Sequence, residues 1–167
     1  MLLVICLKVL CSFTGIDKGS SEYTQLQKFE HRSLQNTAGK IYTYDLTGRK
    51  DCNKTRIQYL GIIHTNQGKQ YKILTSFFVF SAASTCHGTS SIKIFDLNNK
   101  YIGEYYVGTP DNLPDVLRQN KLLYVNNSAD CDLRKTRCIN LTNGLLQSFF
   151  IPCSKTGGDR YSFSSGR

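Results

Sequence analysis

The chain contains no tryptophan, one methionine and three prolines among its 167 residues. Histidine is also scarce: the three residues are His31, His64 and His87, and their positions do not match the spacing of zinc ligands. The cysteines form no Cys-x-x-Cys pair, which further argues against zinc. The aromatic content comes from ten tyrosines and nine phenylalanines, which favour β structure. We therefore predict no metal site and no cofactor.

Long apolar runs are scarce as well. The clearest one, residues 1–11, is too short to cross a bilayer and is typical of the hydrophobic part of a signal peptide. We expect residues 1–15 to be a signal peptide or export leader, with Cys11 as a candidate for lipid anchoring. Residues 16–40 are predicted to be a polar linker with one short helix near residues 22–29. No later stretch is predicted to span a membrane.

One sequence pattern occurs twice between residues 77 and 153. Residues 94–107 (IFDLNNKYIGEYYV) align without a gap on residues 138–151 (CINLTNGLLQSFFI), an offset of 44 (138 minus 94). In each copy, residues that favour tight turns, Asn-Asn or Asn-Gly, separate two apolar and aromatic runs. We predict two β-hairpins, in which residues 94–97 pair with 101–107 and residues 138–141 pair with 145–151. A period near 44 residues is typical of a propeller blade.

The remaining patterns indicate an all-β fold of about eight antiparallel strands, arranged as a hairpin meander. The predicted strands lie near residues 41–46, 56–64, 70–80, 91–97, 101–107, 121–125, 135–141 and 145–151. The chain is too short for a closed propeller, so a closed eight-strand barrel or a sandwich is the alternative. We expect one β domain over residues 41–153 and a Gly/Ser-rich tail over 154–167, with residues 159–163 as a further edge strand.

The segment 77–151, whose two hairpin-like copies were quoted above, resembles small exported β-repeat proteins of bacteria. In those proteins, blade-like hairpins mediate binding. The resemblance covers less than half of the chain, and it implies no functional residue.

Five of the seven cysteines lie beyond the expected leader: Cys52, Cys86, Cys131, Cys138 and Cys153. An exported protein folds in an oxidising compartment, where two disulfides are expected. A hairpin centred on residue 143 would place Cys153 opposite Cys131, so we predict this pair at its base. The second predicted pair, Cys52 with Cys86, would tie the first third of the chain to the loop before the first hairpin.

No catalytic constellation is apparent. Cys86 and His87 are adjacent, but neighbours on a loop point apart more often than together, and an exported cysteine is usually half of a disulfide. Asp96 and Glu104 lie across the first hairpin, yet their counterparts in the second copy are an amide and a hydroxyl. We therefore assign no catalytic residue and consider an enzyme less favoured than a binding protein.

Lysine and arginine outnumber the acidic residues by 21 to 12. The densest basic stretches, residues 49–56 and 134–137, each stand just before a predicted strand. If the two loops share one end of the fold, their side chains form one positive face. The predicted partner-binding residues are Arg49, Lys50, Lys54, Arg56, Arg134, Lys135 and Arg137.

Such a face favours an acidic protein or an anionic polymer as the partner. Our leading hypothesis is a secreted or periplasmic, non-enzymatic β module of the inhibitor or immunity-protein type. Two alternatives stay open: a small secreted hydrolase whose active site the sequence does not reveal, and a binder of nucleic acid or of an anionic surface.

Overall fold

A computed structural model describes residues 18–127 and 131–166 of the chain. These residues form one α-helix, α1 (Lys18–Ser33), ten strands and two short 3-10 turns, Pro110–Asn112 and Arg134–Thr136. The strands are β1 (Ile41–Tyr44), β2 (Thr55–His64), β3 (Gln70–Ala82), β4 (Thr85–Phe95), β5 (Tyr101–Gly108), β6 (Val116–Arg118), β7 (Lys121–Leu123), β8 (Cys138–Asn140), β9 (Ser148–Pro152) and β10 (Gly158–Ser165).

The strands form two antiparallel sheets. The larger sheet has the order β1-β2-β3-β4-β5-β10-β9, and the smaller one has the order β6-β7-β8. The mostly β architecture and the meander of the first five strands agree with the sequence prediction. Over the described residues, neither sheet closes into a barrel.

Each face of the larger sheet has its own apolar cluster. On one face, Ile92 and Ile94 of β4 pack in a cluster that also contains Leu122 and Ile139 of the smaller sheet. On the opposite face, α1 contributes to a second cluster. Alternation along β4 accounts for this division, because successive side chains of a strand point to opposite faces of the sheet.

The helix stands where the sequence predicted a polar linker, residues 16–40. Its buried stripe contains Leu26, which is 1% exposed, together with two acidic residues, Glu22 and Glu30. Apolar residues normally mark the packed face of a helix. Because carboxylates occupy part of this face, the apolar pattern indicated only a short helix within a linker.

The first predicted hairpin is confirmed, and the second is wrong. In the first, β4 pairs with β5, with Ile94 opposite Gly103. In the second copy, β8 pairs with β7 in the smaller sheet, whereas β9 pairs with β10 in the larger one. The propeller-like duplication therefore stays a prediction from the sequence.

The predicted tail contains a full strand of the larger sheet. Strand β10 lies between β5 and β9 rather than at an edge. Gly103 of β5 permits this approach, because a Cβ atom there would lie 2.6 Å from the ring of Phe163. The single hydrogen of a glycine side chain is thus required at this crossing.

Both predicted disulfides are confirmed: Cys52 is bonded to Cys86 and Cys131 to Cys153, while Cys138 is free and exposed. The two bonds indicate an oxidising environment, extracellular or periplasmic. In the described ranges, no helix has the length and apolar character needed to cross a membrane. The expected leader, residues 1–15, lies outside the described residues, and so does the lipid-anchoring candidate within it.

Candidate functional site

The structure brings two of the seven predicted basic residues to one cleft. Arg56 extends from the start of β2, and Arg134 begins the second 3-10 turn. Together they contribute to a cleft of about 420 Å³, here called the basic cleft. Its lining residues are Arg56, Pro110, Asp111, Leu113, Asp115, Tyr124, Asn126, Asn127 and Arg134.

The other five predicted residues do not line this cleft. Arg49 forms an ion pair with Asp51 (2.6 Å) and donates a hydrogen bond to the carbonyl oxygen of Ser84, at the β3–β4 turn (2.8 Å). The exposed members are Lys50, Lys54, Lys135 and Arg137. The cleft is thus lined by two of the seven predicted residues, and the positive face formed by all seven stays a prediction.

Arg134 is the unusual member of the cleft, because it is only 5% exposed. Its Nη2 donates to the Oδ1 of Asn112 (3.0 Å), and its guanidinium lies 5.9 Å from the centre of the Tyr124 ring. Among the described residues, its Nε has no hydrogen-bond partner and no carboxylate forms an ion pair with it. A positive charge is therefore held in a buried position with incomplete compensation.

The neighbours of Arg134 fix the shape of the cleft. The hydroxyl of Tyr124 donates to the carbonyl oxygen of Asn112 (3.0 Å), so the tyrosine and the arginine hold the same turn. Burial raises the pKa of Tyr124, while the charge of Arg134 opposes that rise. Asp115 accepts a hydrogen bond from the backbone nitrogen of Val125 (2.8 Å). Arg56 and Arg134 are thus the two basic side chains among the residues that line the cleft.

A larger cavity, of about 550 Å³, lies between α1 and strands β4 and β5. We call it the helix cavity. Its lining residues are Tyr23, Thr24, Gln27, Lys28, Glu30, His31, Arg32, Lys93, Phe95 and Tyr101. None of these residues was predicted from the sequence to be functional.

A buried ion pair joins the helix to the sheet at this cavity. The Nζ of Lys93 lies 2.8 Å from a carboxylate oxygen of Glu30, and the two side chains are 9% and 4% exposed. Desolvation raises the pKa of Glu30, and the charge of Lys93 opposes the increase. Glu104 stands opposite Lys93 on the neighbouring strand.

Aromatic rings form the walls of the helix cavity. Phe95 packs edge-on against His31 of the helix (ring centres 6.3 Å apart) and against Tyr101 of β5 (5.7 Å). Burial and the nearby charge of Glu104 raise the pKa of Tyr101. Alternation along β4 could have placed Lys93 and Phe95 on one face, but the sequence held no signal that a helix would cover them.

The residues considered for chemistry have other contacts. Cys86 is in a disulfide, and the Nε2 of His87 lies 2.8 Å from the hydroxyl oxygen of Thr85. The carboxylate of Asp96 accepts a hydrogen bond from the backbone nitrogen of Lys100 (2.8 Å). Within the described part of the chain, the one cluster of metal-ligating residue types is Asp51, Cys52 and Cys86, and both of its sulfurs belong to a disulfide.

The basic cleft and the helix cavity are therefore the two candidate binding sites considered for this protein. No protein-family model, curated protein or solved structure matches the chain.

Proposed function

We propose that the protein is an exported, non-enzymatic β module that binds an acidic protein through the basic cleft. The single observation behind this proposal is the state of Arg134, a buried guanidinium without a carboxylate partner among the described residues. Arginine stays charged in proteins, and a buried charge is costly unless it is paired. A carboxylate from a partner would supply the missing compensation.

The shape and charge of the cleft favour one inserted side chain over a continuous anionic polymer. Asp111 and Asp115 line the same cleft as Arg56 and Arg134. Two carboxylates beside two guanidiniums make the cleft less favourable for a run of phosphates than for one acidic side chain. The protein would then be a module of the inhibitor or immunity-protein type, and its partner would present such a side chain on a folded surface.

Export is part of the same proposal. The two disulfides support it, because such bonds persist in oxidising compartments and are rare in the cytosol. Residues 1–15 would then direct secretion, with Cys11 as the candidate lipid anchor. The hydrolase alternative has no catalytic constellation of described residues in its support.

The proposal is tested with a rhodamine-labelled, otherwise neutral peptide that carries one glutamate at its centre, whose anisotropy reports binding, alongside a labelled oligothymidylate as the continuous anionic polymer. We expect saturable peptide binding that weakens as salt rises, and weaker binding of the oligonucleotide. Changing exposed Arg56→Gln should weaken peptide binding about fivefold, because one charge-assisted contact is lost. The control Lys50→Gln removes the same charge outside the cleft and should leave binding within about twofold.

Equal effects of the two substitutions would show that only net charge matters and would contradict the cleft as the site. Stronger binding of the oligonucleotide would favour a nucleic-acid binder instead. Reversing the exposed Lys135 and Arg137 to Glu should slow association more than it speeds dissociation, because exposed charges outside the cleft act mainly by steering.

A further inference from the structure

The helix cavity is a candidate site that does not depend on the basic cleft. We propose that this cavity is a second ligand site, which binds a small, flat, apolar molecule bearing one negative charge. Its volume of about 550 Å³ falls within the range of small-molecule sites.

The aromatic rings favour a flat ligand. Tyr23 extends from the helix and Tyr101 from the sheet, and they are 49% and 39% exposed. Phe95, which is 3% exposed, packs against Tyr101 within the same cavity. A planar ring that enters between helix and sheet contacts both tyrosines and removes their apolar surface from water.

The charges favour a negative group on that ligand. The deep cation, Lys93, is already paired with Glu30 and stands opposite Glu104. On the helix side, Lys28 and Arg32 are exposed and lie one turn apart, and neither forms an ion pair with another described residue. A single anionic group near these two cations is therefore favoured, while the ring lies deeper among the aromatic side chains.

The probe is 8-anilinonaphthalene-1-sulfonate, an aromatic anion with a flat naphthalene ring system, whose fluorescence rises in an apolar site. Its neutral counterpart, N-phenyl-1-naphthylamine, has the same rings without the sulfonate. Titration of the full chain should give one saturable site for the anion and weaker binding of the neutral compound. Exposed aromatic rings at the cavity should contribute to both affinities, whereas the exposed cations should contribute only to the first.

Substitutions of exposed residues separate the two contributions without removing the buried pair. The double change Lys28→Gln and Arg32→Gln should weaken binding of the anion about fivefold and leave the neutral probe within about twofold. Tyr101→Ser should weaken both probes. The matched controls are Lys54→Gln with Lys135→Gln, which remove the same charge elsewhere, and Phe150→Ser, which removes an exposed ring on β9.

A thermal unfolding curve for each variant establishes that it is folded before binding is compared. Binding that does not saturate would overturn the proposal, and so would control variants that weaken binding as much as the cavity variants do. A third contrary result is that Arg56→Gln abolishes binding of the anionic probe. The last result would place the probe in the basic cleft instead.

Discussion

Two stretches of similar sequence fold differently in this protein. Residues 94–107 turn back on themselves and form the β4–β5 hairpin. Residues 138–151 contain a comparable turn, but their two strands lie in different sheets. A hairpin-like sequence therefore specifies two strands and a turn, while the surrounding fold determines which strands pair.

The turns themselves show where the paths diverge. In the first copy, Asp96 and Lys100 exchange backbone and side-chain hydrogen bonds across the turn, which brings the strands together. In the second copy, Asn140 instead accepts a hydrogen bond from the backbone nitrogen of Thr142 (3.0 Å). The following leucines pack against the larger apolar cluster, and the carbonyl oxygen of Leu146 accepts a hydrogen bond from the hydroxyl of Tyr105 (2.7 Å).

The largest effect is expected when the disulfides are removed one at a time. Cys131–Cys153 closes a separation of 22 residues and Cys52–Cys86 one of 34, so each double serine variant should lose about 3 kcal/mol of unfolding free energy. Denaturant unfolding measures the loss. Amide hydrogen exchange should then become faster in β8 and β9 only when Cys131–Cys153 is removed. It should become faster at the β3–β4 turn only when Cys52–Cys86 is removed. Uniform loosening in both variants would contradict this division.

A smaller effect is expected from Gly103→Ala, which tests why β10 can join the first hairpin. The new methyl group would meet the ring of Phe163 and the backbone of β10, so we expect a loss of about 2 kcal/mol by urea unfolding. Gly157→Ala is the matched control, because a Cβ atom there would meet its nearest neighbour, the Ser154 hydroxyl oxygen, at an ordinary 3.5 Å. If both variants are equally stable, the close approach does not require glycine.

The smallest effect separates the two turns directly. Asp96→Ala should cost about 1 kcal/mol, because it removes the hydrogen bond that closes a paired hairpin. Asn140→Ala should cost about 0.5 kcal/mol, because the bond that it removes is local and the adjacent strands pair with other partners. Paired urea titrations measure both losses. A larger loss at Asn140 would contradict the proposed difference between the copies.

The sequence predicted the positions of the strands better than it predicted which strands pair with each other. Alternating apolar residues and turn residues identified most strands. The disulfide Cys131–Cys153 was predicted from a second hairpin that does not form, although the two cysteines are bonded. The helix was underestimated because Glu22 and Glu30 occupy its buried face: Glu22 accepts a hydrogen bond from the backbone nitrogen of Ser81 (3.1 Å), and Glu30 pairs with Lys93. Those partners lie more than fifty residues away, so no local pattern could reveal them.

The candidate sites were predicted only in part. Basic residues before strands led to Arg56 and Arg134, but charge density could not distinguish the buried arginine from the exposed cations around it. That distinction depends on Tyr124 and Asn112, which contact Arg134 across the fold. The helix cavity was not predicted, because it exists only when a helix and two strands distant in sequence come together.

The position of β10 also has a kinetic consequence. Among the described strands, β9 joins the larger sheet only through β10, and β10 pairs with β5, more than fifty residues earlier. Pairing over such separations raises the contact order, which slows folding. During synthesis, β9 therefore has no strand to pair with in the larger sheet until the residues of β10 have been added. Until that point, the larger sheet ends at β5, and the outer edge of β5 and the residues of β9 have no partner strand in this sheet.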